Sequence, residues 1–184
     1  MHKKYMIALV LVALAITSAV AGTNNPVVGG KEMYPTRNII ENAINSADHT
    51  TLVAAVKAAG LVDTLQGAGP FTVFAPTNEA FDKLPAGTVD TLLKPENKSL
   101  LTKVLTYHVV AGHLSSSDLM KKIKEGNGTA ELITVEGGKL WVMVHDGKHI
   151  MLKDEKGGTA LVTIANVFQS NGVIHVIDTV VMPN

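Results

Sequence analysis

The chain has no cysteine, so disulfide bonds, thiolate metal ligands and cysteine nucleophiles are excluded. Aromatic residues are also scarce, at 4% of the 184 residues with a single tryptophan, which leaves few rings that could stack on nucleic-acid bases. The 16 lysines and arginines are balanced by 16 aspartates and glutamates. Because nucleic acids and anionic membrane surfaces attract clustered positive charge, this balance predicts neither as a partner.

The motifs of common enzyme classes are missing too. The sequence contains no Gly-x-Ser-x-Gly elbow and no His-Glu-x-x-His zinc motif. His108, His113, the serines at 115–117 and Asp118 supply the residue types of a catalytic triad, but a triad is defined by geometry and not by sequence neighbours. The three serines before Asp118 are better explained as a helix cap. We therefore predict no catalytic residue, and a histidine-dependent envelope hydrolase is the less favoured alternative.

Seven histidines raise the question of a metal site. His145 and His149 flank Asp146-Gly147, a dipeptide typical of tight β-hairpins. In a two-residue loop His145 pairs with Lys148, and His149 lies on the opposite face of the strand, so the two imidazoles do not converge. A three-residue loop would bring them together. We predict the shorter loop and no metal site.

The first 21 residues have the three parts of a secretory signal peptide. Lys3 and Lys4 precede an apolar run over residues 6–16, and Ala19-Val20-Ala21 provides small residues at a cleavage site. This run is shorter than the ~20 residues that a membrane-spanning helix needs. We therefore predict that residues 1–21 are a signal peptide that is cleaved after Ala21, with no membrane insertion afterwards. Removal of the two lysines would change the net charge from 0 to −2. Export of a chain without cysteine predicts a bacterial protein that is secreted, periplasmic or at the cell surface.

The exported part is predicted to be one domain behind a flexible leader. Residues 22–33 contain Pro26 and Gly29-Gly30 without periodicity, which indicates the leader, and the domain covers residues 34–184. Its central segment is GPFTVFAPTNEAF at 69–81. Residues 71–75 have the composition of a buried strand that Pro76 ends, and Thr77 and Asn78 can cap a following helix. This predicts a strand that turns abruptly into a helix.

Helical spacing dominates the chain around this corner, and strand spacing dominates after residue 129. Leu101, Val104, Leu105 and His108 recur at intervals that place them on one helix face, which turns His108 towards the core. From Thr129 the pattern alternates, and glycine pairs separate a run of β-hairpins. Helices, one strand, further helices and then antiparallel strands predict the α+β class.

His175 lies in the apolar strand VIHVID, and we interpret it as a core histidine satisfied by a hydrogen bond. Thr77 or Asn78 could supply that bond, and Asp178 could tie the last strand to nearby backbone. The sequence therefore predicts a structural lock in which Thr77 and Asn78 meet His175 and Asp178.

Three segments together resemble the fasciclin (FAS1) domain family. They are GPFTVFAPTNEAF at 69–81, TYHVVAG at 106–112 and SNGVIHVIDTVVMP at 170–183, and they resemble, in order and spacing, the two signature boxes and the Tyr-His motif between them. The resemblance extends from about Tyr34 to Pro183, and the chain looks like secreted single-domain bacterial members related to mycobacterial antigens. It implies a wedge of mostly antiparallel strands packed with several short helices, no general cofactor, and adhesion instead of catalysis.

The resemblance also implies where a partner binds. Animal members use the Tyr-His region and an Asp-Ile pair before the second box as integrin contacts. Tyr107 and His108 are retained here, whereas Asn166 and Val167 occupy the positions of the Asp-Ile pair, so an amide replaces the acid. We predict these four residues as partner-binding, on a monomer that binds a protein or polysaccharide at a cell surface or matrix.

The alternative is a glycan or cell-wall polymer module without an adhesive role. Its candidate stacking residues are Trp141, Tyr107 and Tyr34.

Overall fold

Helices dominate the chain up to residue 125, and strands make up the rest from residue 129. The computed structural model describes residues 25–184. Its helices are Ile39–Ala43 (α1), Thr50–Ala59 (α2), Val62–Gln66 (α3), Asn78–Asp82 (α4), Thr88–Leu92 (α5), Lys98–Tyr107 (α6) and Ser116–Glu125 (α7), with 3-10 turns at Ala47–His49 and Pro95–Asn97. Its strands are Val27–Val28 (β1), Lys31–Glu32 (β2), Phe71–Pro76 (β3), Val109–Ala111 (β4), Thr129–Ile133 (β5), Lys139–His145 (β6), His149–Lys153 (β7), Thr159–Gln169 (β8) and Gly172–Ile177 (β9). The predicted α+β class is confirmed.

One seven-stranded sheet, in the order β4-β3-β9-β8-β7-β6-β5, organises the domain. Its pairs are antiparallel except for β3 and β9, which run parallel; the last strand lies between β3 and β8. The sheet curls until its two edges meet. Val110 of β4 bridges to Thr134, and the Val135 N–H donates to the Val109 carbonyl at 2.7 Å. The result is a nearly closed barrel.

Two apolar clusters fill the two sides of this sheet. One joins α1–α6 to β3 and β9, and includes Leu52, Val56 and Leu101. The other fills the curled part of the sheet under α7, and includes Leu119 and Leu140, both fully buried. The helical periodicity that turns Leu101, Val104 and Leu105 inward is confirmed, since all three are buried.

The N-terminal segment differs from the flexible leader predicted for residues 22–33. Residues 27–32 form a small antiparallel hairpin, with Gly29 and Gly30 at its turn. Val28 and Met33 are 4% and 2% exposed, and the Gly29 carbonyl accepts a hydrogen bond from the Ala47 N–H at 3.2 Å. The hairpin is ordered because these two apolar side chains pack into the helical cluster. The predicted signal peptide and residues 22–24 lie outside the described residues.

Candidate functional site

The central corner forms as predicted, but its polar residues have other partners. Thr77 caps α4 through its hydroxyl. The side-chain oxygen of Asn78 accepts from the Thr51 N–H at 3.0 Å, and its nitrogen donates to the Ala47 carbonyl at 2.9 Å. The predicted lock with His175 is therefore wrong, because Asn78 faces the start of α2 and binds there.

Asp178, the fourth member of that lock, ties the last strand to β8. Its Oδ1 accepts from the Leu161 N–H at 2.8 Å, and its Oδ2 lies 3.3 Å from the Lys83 Nζ. Partial burial acts to raise the pKa of this carboxyl. The hydrogen bonds from Leu161, Thr179 and Lys83 outweigh that effect and hold the pKa below its ordinary value. The predicted tie to nearby backbone is confirmed.

His175 is a buried junction between three elements. Its Nε2 donates to the Leu114 carbonyl at 2.8 Å, and its Nδ1 accepts from the Asn166 N–H at 3.4 Å. The ring stacks on Phe74 with centroids 5.7 Å apart. Burial lowers the pKa of His175, although the Leu114 carbonyl opposes the shift. The interpretation of His175 as a satisfied core histidine is confirmed, with partners that differ from those predicted.

Asn166 connects β8 to the first turn of α7. The φ of Asn166 is 61°, in the left-handed region. The residue lies just before Val167, where the pairing between β8 and β9 shifts register. Asparagine tolerates this conformation better than most residues. Its Oδ1 accepts from the Ser116 N–H and its Nδ2 donates to the Ser116 Oγ, both at 2.7 Å. Asn166 therefore has a structural role at this bulge.

The Tyr-His motif lies inside the protein. Tyr107 and His108 are 0% and 2% exposed. The His108 Nδ1 donates to the Val104 carbonyl at 2.8 Å, and its Nε2 accepts from the Val181 N–H at 3.3 Å. Burial lowers the pKa of His108 to about 4, against the opposing effects of the Val104 carbonyl and Asp154. The motif thus joins the end of α6 to the C-terminal segment.

The four predicted partner-binding residues differ in how far their side chains are exposed to solvent. Tyr107, His108 and Val167 are buried, whereas Asn166 is half-buried. Burial also raises the pKa of Tyr107 to about 12. Three of the four side chains present no surface to a partner in this conformation, so partner contact stays a prediction for Asn166.

An exposed aromatic pair that was not predicted from the sequence lies beside the bulge at Asn166. His113 and Phe168 stack with ring centroids 5.5 Å apart and an interplanar angle of 9°. The loop after β4 is held over the sheet by Thr72, whose hydroxyl donates to the Gly112 carbonyl at 2.7 Å and accepts from the Leu114 N–H at 2.9 Å. Phe168 is 40% exposed. Its alternation with buried Val167 along β8 was the signal available in the sequence.

The other two candidate stacking residues lie elsewhere. Trp141 is half-buried on β6 and lines an open depression of about 530 Å³ together with Met143 and Lys153. Tyr34 is 37% exposed, and the Arg37 guanidinium lies 4.7 Å from its ring centroid. These two rings stay accessible, unlike that of Tyr107.

The residue types of a triad do not assemble. Ser115 caps α7 in a reciprocal pair with Asp118, whose side chain accepts from the Ser115 N–H at 2.9 Å. The helix-cap interpretation of these serines is confirmed. His108 uses both ring nitrogens on backbone groups, and His113 stacks on Phe168.

The hairpin between β6 and β7 has a longer loop than predicted. Residues 146–148 form it, and His145 pairs directly with His149 across the two strands. The predicted pairing of His145 with Lys148 is wrong because Lys148 is an extra loop residue, although its N–H still donates to the His145 carbonyl. The His149 Nδ1 lies 2.8 Å from the Asp146 Oδ2. Over residues 25–184, no three histidine, aspartate or glutamate side chains cluster in a way that could hold a metal ion.

The helices of the described part of the chain are all too short or too polar to span a bilayer. The fold and the site together describe an α+β domain with buried polar junctions and a small exposed aromatic surface. Residues 47–183 match the family model of the fasciclin domain. The chain belongs to the fasciclin domain family.

Several curated proteins are similar over most of this domain. Protein sll1483 of Synechocystis is 49% identical over 145 residues, covering 79% of this chain and 73% of that protein. Immunogenic protein MPB70 of Mycobacterium bovis is 40% identical over 146 residues, 77% of this chain and 66% of its own length. Cell surface glycolipoprotein MPB83 of Mycobacterium bovis is 44% identical over 123 residues, 67% of this chain and 48% of its own length.

A solved structure confirms the fold. The FAS1 domain pair of the insect cell adhesion molecule fasciclin I superposes with a TM-score of 0.57 at 22% identity, covering 71% of this chain and 43% of that chain. Identity at this level supports the shared architecture alone.

Proposed function

We propose that this chain is an exported, non-enzymatic binding module that mediates adhesion by attaching to a protein or polysaccharide at a cell surface or matrix. Membership of the fasciclin family supports this function. So do the names of two similar proteins, a cell adhesion molecule and a cell surface glycolipoprotein. We also propose that the protein is a monomer and that it is secreted, periplasmic or on the surface of a bacterial cell.

The observation behind the proposed contact surface is the stacked pair of His113 and Phe168. Exposed aromatic side chains are enriched where proteins bind one another, and an aromatic ring offers a large apolar contact at little cost in conformational entropy. The Phe168 ring is held in place before binding, because it stacks on His113 and because Thr72 bonds the loop that carries His113. Asn166, the half-buried residue of the predicted site, lies two residues away on the same strand.

The test is binding of the purified protein to immobilised matrix proteins and to bacterial surface polymers. Phe168→Ala should weaken the contact by about tenfold or more if this ring is a central anchor. Leu100→Ala is the matched control, since Leu100 is 47% exposed and lies on α6, an element to which neither ring belongs. Equal binding by both variants and the unchanged protein would refute this surface.

Salt dependence gives a second criterion. The exported protein would be near neutral, with a net charge of −2. Binding should therefore rest on shape and hydrogen bonds, and its affinity should change little between about 50 and about 300 mM salt. A steep loss of binding at moderate salt would indicate an electrostatic contact instead.

The glycan alternative rests on Trp141. It lies on β6 between Glu131 and Lys153 of the neighbouring strands, beside an open depression that a polymer could enter. Under this alternative Trp141→Ala abolishes attachment to a cell-wall polymer, whereas Phe168→Ala leaves it unchanged. The two variants therefore separate the two functions.

A further inference from the structure

The longer loop between β6 and β7 places two exposed histidines side by side. His145 and His149 are direct partners across the two strands, whereas the predicted two-residue loop would have put them on opposite faces of the hairpin. Side chains of directly opposed residues point to the same face of a sheet, with their Cβ atoms about 4.5–5.5 Å apart. Both histidines are exposed. The two imidazoles can therefore approach one bound group from neighbouring strands.

Two methionines lie in the next row of the same face. Met143 and Met151 are also direct partners, and each lies two residues from a histidine along its own strand. Val142 and Ile150, which alternate with these residues, are buried in the apolar cluster on the opposite face. Both methionines are half-buried, so part of each side chain reaches solvent. Because a methionine side chain is unbranched and flexible, each sulfur can turn towards the histidine row.

A carboxylate fixes the tautomer of one of these histidines. The Asp146 Oδ2 lies 2.8 Å from the His149 Nδ1. The Asp146 Oδ1 is itself held by the backbone N–H groups of Lys148 and His149, at 3.3 and 3.1 Å. In the neutral ring the carboxylate keeps the proton on Nδ1, which leaves the lone pair of Nε2 for a ligand. Histidines that bind metal ions almost always donate their other ring nitrogen in this way, so His149 is prepared to ligate a metal through Nε2.

The four side chains select a soft metal ion of low charge. Thioether sulfur and imidazole nitrogen are ligands for copper(I), whereas magnesium and calcium take oxygen ligands. Residues 139–153 carry three lysines and one aspartate, so they repel a monovalent cation less than a divalent one. We propose that this face of the β6–β7 hairpin, called the His-Met face below, binds one copper(I) ion through His145, His149, Met143 and Met151.

Anaerobic competition for copper(I) between the purified protein and the chromogenic chelator bicinchoninate tests this site. The protein carries no polyhistidine tag, because a tag would itself bind copper. The unchanged protein should withdraw one equivalent of copper(I) from the chelator. Asp146→Asn removes the charge that positions His149 and should weaken binding by about tenfold or more. His145→Ala and His149→Ala each remove a ligand and should weaken it further.

The methionines are tested separately from the histidines. The double variant Met143→Leu/Met151→Leu replaces both sulfurs at similar volume and should weaken copper(I) binding. Met120→Leu is the matched control, since Met120 is half-buried on α7 and does not belong to the hairpin. Copper(I) is diamagnetic, so NMR spectra of the methionine methyl groups report ligation directly. One equivalent should shift the Met143 and Met151 signals and leave the Met120 signal unchanged.

Three results would each overturn the copper site. They are the absence of saturable binding at one equivalent, equal affinity in the unchanged protein and both histidine variants, and methyl signals of Met143 and Met151 that do not move. Equal affinity in the double methionine variant would also overturn it, because the ion would then bind the histidines alone. If a variant does not fold, the methyl signals of the unchanged protein decide.

Discussion

Acidification should destabilise this domain well above the pH at which its carboxylates titrate, and His108 should be the main cause. The ring is buried between the Val104 carbonyl and the Val181 N–H, and these two partners require a neutral ring with its proton on Nδ1. A second proton on Nε2 would face the Val181 N–H and would break that hydrogen bond. Protonation is therefore opposed both by burial and by geometry.

The magnitude follows from the two pKa values. The pKa of His108 is about 4 in the folded protein and 6.5 as the ordinary value, so the unfolded chain binds more protons between these limits. Stability is then fully present above about pH 6.5, falls as the pH decreases, and levels off below about pH 4. Each pH unit in this window is worth about 1.4 kcal/mol, which gives a loss of about 3 kcal/mol from His108 alone. The pKa of His175 is lowered as well, so that residue adds to the loss in the same direction.

Urea unfolding of the purified protein at a series of pH values between 7.5 and 4 measures this effect. His108→Gln is the informative variant, because glutamine offers a donor and an acceptor but does not titrate. We expect it to be less stable at pH 7.5 and to lose about 3 kcal/mol less on acidification than the unchanged protein. Equal losses in the two proteins would refute the assignment to His108.

Three asparagines make further predictions. Asn171→Ala should cost about 3 kcal/mol in urea unfolding, because its side chain binds the Ile39 N–H and the carbonyls of residues 65 and 67, and an unchanged midpoint would contradict this role. Asn166→Asp should change the free energy of unfolding by no more than about 1 kcal/mol, since one carboxylate oxygen can accept from the Ser116 N–H. Asn166→Ala should be less stable than Asn166→Gly by about 1 kcal/mol because φ is positive at this position, and the opposite order of stability would contradict this reasoning. Asn78→Ala should lower stability by about 1–2 kcal/mol, and no change would mean that its bonds to α2 and the preceding turn contribute nothing.

Local chemistry made the central corner predictable. A strand of aromatic and β-branched residues, a proline and the capping residue Thr77 define a short segment whose conformation depends on its own sequence. The same holds for the helix before His108, whose inward face follows from its periodicity. The partner of Asn78 could not be found in this way, because Thr51 and Ala47 approach it only through packing of the preceding helices.

The hairpin after β6 shows a second limit. Asp146 and Gly147 do occupy left-handed conformations, as the dipeptide predicts, but the strands pair with Lys148 left over in the loop. A loop that is one residue longer moves His149 to the opposite face, which reverses the expected relation of the two histidines. Register depends on the ladder as a whole, so a turn signal alone does not determine it.

The segments that resemble the family meet in space, and under the proposed function the contact surface lies beside them. Residues 71–76, 109–111 and 172–177 form the adjacent strands β3, β4 and β9, and the buried junctions at His108 and His175 connect them to the rest of the fold. The ring nitrogens of both histidines are hydrogen-bonded to backbone groups. The exposed pair lies just beyond them, with His113 one residue after the second segment and Phe168 two residues before the third. Partner specificity would then depend on side chains that these segments position but do not contain.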